Sequence, residues 1–300
     1  MSVTGAGKQD RALLGIGLMV AAYFVFSLID LSAKWLAVAG ISSLQLAFMR
    51  YLPHLAVSIA VVGQRGKYPL LFRRERMGEM LFRGALLMLS TSLNFLSLRY
   101  LPLTLTSTIL FSAPIITCLL SGPLLGEKVG PWRWGAILLG FFGILIAIRP
   151  FDADFHIAAL LSLGAATSFA FYSIMTRRLA GEMDVDIMQF HTGFVGVVAL
   201  LPFAVTQWTT PDTMFDIMVM ICLGVLGWGG HQLLTSAHRF AESNLLMPFG
   251  YSFILFLTLW SFLVFGNLPD RMTVTGAVII VISGLIIWAR EWQRSRLASG

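Results

Sequence analysis

Stretches of about twenty residues with almost no charge recur from one end of this 300-residue chain to the other, and that recurrence limits its fold more than any other feature. A helix rises 1.5 Å per residue, so roughly 20 apolar residues cross the ~30 Å hydrocarbon layer of a bilayer. Reading such windows against the turn and charge breaks between them predicts ten spans, at 12–36, 42–62, 79–99, 103–125, 132–149, 155–177, 187–207, 214–237, 244–265 and 273–290. Hydrocarbon offers no partner to a free amide, so each span must be a helix. The short alternating segments of a membrane barrel do not occur. The first run, Ala12–Ile29, is longer than a secretory signal core and meets no small-x-small cleavage site, so it is expected to be retained. The charged share, 12%, is half the roughly 25% of an ordinary soluble domain, which excludes water as the main solvent.

A net charge of +6 invites a nucleic-acid reading, but the basic residues lie in short segments between apolar runs rather than along one helical face. With a cytoplasmic N-terminus, most Lys and Arg, among them Arg65, Lys67, Arg76, Arg83, Arg178 and Arg290, fall at inner ends, while Lys34, Arg99, Arg149 and Arg271 fall near outer ones. This positive-inside bias places both termini in the cytoplasm of a multi-pass protein of the bacterial cytoplasmic (inner) membrane. Cys118 and Cys222 each sit inside an apolar run, so neither a disulfide framework nor a metal site is indicated, and no cofactor is expected.

The second half echoes the first at an offset of about 140 residues. Leu98-Arg99-Tyr100 matches His238-Arg239-Phe240, Gly126-Glu127 matches Gly266-Asn267, and Arg149 matches Arg290. Five helices per copy is an odd number, so the second copy must be inverted. The fold expected is therefore all-α and polytopic, with ten transmembrane helices as two inverted five-helix repeats, residues 1–150 and 151–300, around a central cavity.

The stretch Leu103–Ile148 carries a Ser/Thr-rich helix start, the mid-helix Pro114, the Gly126-Glu127 helix end, and a tryptophan and glycine opening a Gly-rich last helix. In these features, and in Lys34 and Arg50-Tyr51, the chain resembles the EamA family of the drug/metabolite transporter superfamily. Asn267, where a glutamate is usual, and the early Pro248 depart from that pattern. The resemblance covers nearly the whole chain and implies ten helices around a central cavity that moves small metabolites. It is most similar to amino-acid exporters of the YddG type.

Polar groups in mid-membrane are costly, at least ~2.5–3.5 kcal/mol for a charge, so those present should face protein or a wet cavity. Tyr23, Ser27, Asp30 and Lys34 share one face of the first helix. Arg50 on the second lies at a similar depth. Either Arg50 anchors a substrate carboxylate, or Asp30 and Arg50 form a permanent pair that locks two helices. His54 follows one turn after Arg50, next to Pro53. Further candidates for substrate contact are Asn94, Thr108 and Ser112 ahead of Pro114, then Ser168 and Tyr172, then Trp228, His231 and Gln232 around "GWGGHQ". Tyr251, three residues after Pro248, completes the set, and Pro53, Pro114 and Pro248 are candidate bends. For each of these the competing reading is plain packing or a local hydrogen bond.

No H-E-x-x-H, G-x-S-x-G or paired intramembrane aspartates occur, which argues against an intramembrane enzyme. An inverted repeat suits a carrier better than a channel. The function expected is alternating-access transport of small polar metabolites, with amino-acid export first and import of a flavin- or sulfonium-like cofactor second. Coupling to protons would have to use His231, His191 or Asp30. A monomer can enclose such a cavity by itself.

Overall fold

The computed structural model describes residues 3–71, 75–125, 130–150, 152, 155–179, 182–241 and 246–298. The Gly126-Glu127 pair lies outside the described residues. Among the described residues the chain forms ten apolar helices: α1 (Val3–Val38), α2 (Ser43–Gln64), α3 (Met77–Leu98), α4 in two pieces (Leu103–Leu110 and Ala113–Leu125), α5 (Pro131–Ile148), α6 (Ala158–Leu179), α7 (Val185–Thr206), α8 (Met214–Phe240), α9 (Ser252–Phe265) and α10 (Arg271–Ala298). A single turn, Tyr68–Leu71, lies between α2 and α3, and a 3-10 turn, Met247–Tyr251, leads into α9. Among the described residues nine helices are long and apolar enough to cross a bilayer, and α5 adds the shorter apolar stretch Trp134–Ile148. No strand occurs among the described residues.

Two spans that the sequence predicts as unbroken are interrupted. The 103–125 span breaks at Phe111 and Ser112, and the helix resumes with Pro114 in its first turn, where a missing N–H is tolerated. Within the 244–265 span, Met247–Tyr251 form a 3-10 turn that contains Pro248. Other ends follow ordinary capping. Asp184 accepts from Asp186 N at 2.9 Å to start α7, and Thr213 Oγ1 accepts from Asp216 N at 3.1 Å to start α8. Gly266 closes α9 in the left-handed region at φ 67°, which lets Asn267 N donate back to Ser261 O at 3.0 Å.

Most connections are too short to recross the bilayer, and the longest, residues 65–76, is tied at both ends to residues 182–186 through Lys67 and Arg76, so successive helices run in opposite directions. The dominant pairings are α1 with α8, α3 with α6, α2 with α7 and α5 with α10; α2 also packs on α8, and α3 on α7. Exchanging α1 for α6, α2 for α7, and so on through α5 and α10 maps this set onto itself. That is the packing of two inverted five-helix sets.

The ends of the bundle are tied differently. At one, Arg65 Nη1 bonds both Asp186 carboxylate oxygens at 3.0 and 2.7 Å, and Lys67 Nζ bonds Asp184 and Asp186 at 2.6 Å each. Arg76 bridges Glu79 and Glu182 there. At the opposite end, Gln45 exchanges hydrogen bonds with the Thr209 backbone at 2.8 Å and Trp35 Nε1 donates to Asp216 at 2.8 Å. The hydrogen bonds that the Lys67 ammonium donates to Asp184 and Asp186 raise it above its ordinary value. A raised value means that the stabilisation is complete below the free-lysine range, near pH 10, and fades as pH rises through the shifted value. The melting temperature of Lys67→Met should therefore lie below wild type by a constant margin from neutral pH to about 9, and the two should converge at strong alkali. A margin that vanishes already at neutral pH would show that Lys67 contributes nothing to this end.

Candidate functional site

Arg50, Tyr51 and His54 of α2 point toward the centre of the bundle because the opposite helices present glycines there. A Cβ on Gly224 would lie 2.6 Å from the Pro53 ring, one on Gly196 would lie 2.3 Å from Tyr51, and one on Gly230 would lie 2.5 Å from Phe26. Small residues thus let α7 and α8 pack closely on Tyr51 and Pro53 of α2 and on Phe26 of α1.

Among the described residues two arginines are buried in the bundle, and they differ in how fully they are satisfied. Arg83 Nη2 donates to Tyr172 Oη at 2.7 Å, its Nε to Thr176 Oγ1 at 2.7 Å, and its Nη1 to Thr192 Oγ1 at 2.9 Å and Met188 O at 3.4 Å. Its guanidinium also lies 4.5 Å above the Tyr172 ring. Arg50 makes one such bond, Nη1 to Thr91 Oγ1 at 3.1 Å, and its Cζ lies 5.2 Å from the Tyr51 ring centre. Neither arginine forms an ion pair with a described residue. A guanidinium has five N–H donors in a rigid fork, so Arg83 is largely used up and Arg50 is not.

The Asp30–Arg50 pairing left open by the sequence does not form. Asp30 Oδ1 instead accepts from Asn94 Nδ2 at 3.1 Å, and Asn94 Oδ1 is buried without a hydrogen-bond partner. His54 Nε2 and His231 Nε2 are also buried and unpartnered, their rings 6.5 Å apart. Around these groups runs a continuous ladder of rings. Tyr51 meets His54 at 6.5 Å, His231 meets Phe26 at 5.1 Å, Phe26 meets Tyr23 at 5.9 Å, and Tyr23 meets Phe253 at 6.1 Å. Phe111, at the break in α4, closes the series on Phe253 at 5.9 Å and Tyr251 at 5.2 Å. Each helix interruption thus contributes one ring to this series, Phe111 at the break in α4 and Tyr251 in the 3-10 turn before α9.

Other expected site residues have local work. Ser27 donates to Phe24 O at 2.7 Å and accepts from Trp260 Nε1 at 2.9 Å, tying α1 to α9. Lys34 reaches Leu98 O and Leu101 O at 2.6 and 3.0 Å, which caps α3 rather than lining the centre. Thr108 bonds back to Thr104 O at 2.8 Å, and His191 Nδ1 lies 2.8 Å from Ile187 O. Ser112 Oγ is buried and unpartnered at the α4 break, and Ser168 is buried on α6. Tyr172 is committed to Arg83. Trp228 and Gln232 line an open groove with Val25 and Val225 on a different face of α8 from His231, because Gly227 and Gly230 take the positions against Arg50 and Phe26.

Arg83 was expected to be a topological charge at the inner end of α3, yet it is 3% exposed. Spacing cannot reveal this, because its acceptors come from α6 and α7. Phe26, Phe111 and Phe253 are likewise absent from the sequence-derived set, since a phenylalanine in an apolar run carries no signal of its own. Among the described residues no group of three His, Cys, Asp or Glu side chains gathers as a metal site.

The EamA-like transporter family model matches residues 13–149 and 156–289. The chain is 28% identical to the S-adenosylmethionine uptake transporter of Rickettsia bellii, over 91% of this chain and 93% of that one. It is also 28% identical to the riboflavin transporter of Vibrio cholerae, over 96% and 97% of the two chains. Identity to the pseudopaline exporter of Pseudomonas aeruginosa is 24%, over 91% and 95%. A solved structure superposes with a TM-score of 0.63 over 92% of this chain and 96% of that one at 16% identity, which supports the fold alone. Matched along nearly its whole length, this multi-pass membrane protein belongs to the EamA-like transporter family.

Proposed function

We propose that the chain carries a ring-bearing, vitamin- or cofactor-like metabolite across the bacterial cytoplasmic membrane, in the importing direction, and that the substrate lies between the aromatic ladder and Arg50. The observation that carries this reading is the run of contacting rings from Tyr51 to Tyr251 beside a buried guanidinium with most of its donors unused. Aromatic faces bind planar rings and cations, and a guanidinium fork binds carboxylate. The names of the relatives point the same way: S-adenosylmethionine and riboflavin both carry ring systems. Amino-acid export, expected first from the sequence, has no counterpart among the three relatives described.

In this proposal residues 1–150 and 151–300 are the two moving halves. The ionic contact between Arg65, Lys67 and Asp184, Asp186 closes one entrance, and the neutral contact between Gln45 and Thr209 closes the other. Reconstitution into liposomes with labelled riboflavin, S-adenosylmethionine and single amino acids tests the reading. Saturable flux of a ring-bearing cofactor, reduced at least several-fold by Phe26→Ala, is expected. Flux of small aliphatic amino acids with none of either cofactor would overturn it and restore the amino-acid reading.

A further inference from the structure

We propose that Asp30, Asn94 and Arg50 form a cradle for a zwitterionic α-amino-acid head, so that the carried metabolite joins such a head to a ring-bearing remainder. This rests on the reading above that the substrate occupies this centre, and it narrows the class of substrate.

Asp30 and Arg50 are opposite charges, both buried, on neighbouring helices, yet their charged atoms stay more than 4.0 Å apart. If their purpose were mutual neutralisation, a long arginine side chain would close that gap. Instead α3 holds each charge separately, Arg50 on Thr91 and Asp30 on Asn94. Thr91 and Asn94 are three residues apart on one helical face, which sets their side chains about 4.5 Å apart along the axis. Tyr51 Oη bonds Thr91 Oγ1 at 2.9 Å and steadies the Arg50 side of the spacer.

The result is a short dipole of two unlike poles. At one, the Asp30 carboxylate stands beside the unpartnered Asn94 Oδ1, two acceptors where an ammonium has three N–H donors to place. At the other, Arg50 offers the free part of its fork. An α-amino acid carries its ammonium and carboxylate on a single carbon, so the two charges are separated by a few ångströms and must be met by opposite charges at similar spacing. A simple anion would leave Asp30 unpaired, and a simple cation would leave Arg50 unpaired. A zwitterion satisfies both poles without adding net charge to the membrane interior.

Ligands that differ only in the head decide the matter, measured as binding to the full-length protein in detergent. The pairs are S-adenosylhomocysteine against methylthioadenosine, both neutral thioethers at sulfur, and tryptophan against tryptamine and indole-3-propionate, with riboflavin as a ring without an amino-acid head. The zwitterionic member should bind at least tenfold more tightly in at least one pair, and Asp30→Asn should bring that preference to near parity. Headless members that bind as well as their zwitterionic partners, or riboflavin as the tightest ligand, would overturn the cradle while leaving the ring-carrier reading intact. Failure of every ring-bearing compound to bind would sink both. Should Asp30→Asn not fold, the wild-type comparison of paired ligands is decisive by itself.

Discussion

Arg50→Gln is expected to weaken substrate binding by about 10- to 150-fold while leaving the melting temperature close to that of wild type, and Arg83→Gln is expected to do the reverse. A hydrogen bond to a charged group contributes about 1.5–3 kcal/mol, and 1.4 kcal/mol is a factor of ten in affinity. Among the described residues Arg50 donates to Thr91 and lies beside Tyr51, and Thr91 keeps its bond to Tyr51 when the guanidinium is removed. In the proposed site, what the substitution would remove is therefore the interaction with an anionic group of the ligand. Arg83 binds three side chains and a carbonyl from α6 and α7, and its removal strips acceptors on both helices of a charged donor. Ligand titration and thermal unfolding of the two variants in the same detergent separate the roles. If Arg50→Gln lowers the melting temperature as much as Arg83→Gln with affinity unchanged, Arg50 is a structural residue and the site assignment fails.

Enlarging Gly276 should be among the most damaging changes available in the apolar part of the chain. Helices α5 and α10 meet through backbone. A Cβ on Gly276 would lie 2.7 Å from Gly143 O and 3.0 Å from Ala147 N, and one on Gly143 would lie 3.0 Å from Gly276 O. Main-chain atoms cannot rotate away as a side chain can, so the helices must separate and give up the close packing that holds them in a medium with no hydrophobic drive for association. Overpacking costs about 1–3 kcal/mol even where side chains can yield, so Gly276→Ala should lower the melting temperature clearly and Gly276→Leu should leave little folded protein. Gly229→Ala, with nothing within 4 Å of the added carbon, should leave it unchanged and serves as the control. Equal melting temperatures for Gly276→Ala and Gly229→Ala would mean that the α5–α10 seam is compliant.

The ten helices, their alternating direction and the all-α class were legible in the sequence because the bilayer imposes them locally: a segment of the right length and polarity must satisfy its own amides. The offset near 140 residues anticipated a packing pattern that maps onto itself when the halves are exchanged. Membership of the family was legible from the Leu103–Ile148 stretch. The centre was legible only in part. Tyr23, Asp30, Arg50, His54, Asn94, His231 and Tyr251 stand out because polarity in an apolar run is costly and visible, and the fold brings them to one region.

What no periodicity carries is the choice of partner. Whether Asp30 neutralises Arg50 or each is held apart on α3, whether Arg83 ends in the headgroups or inside the bundle, and whether Trp228 faces the centre or a groove all depend on which helix lies opposite. Glycines settle these cases through backbone distance: Gly227 and Gly230 bring α8 against α2 and α1 and turn Trp228 aside, while Gly224 seats Pro53. A sequence states which groups are expensive to leave unsatisfied in hydrocarbon. Only the packed arrangement of helices decides which neighbour satisfies them, and which groups are left for a ligand.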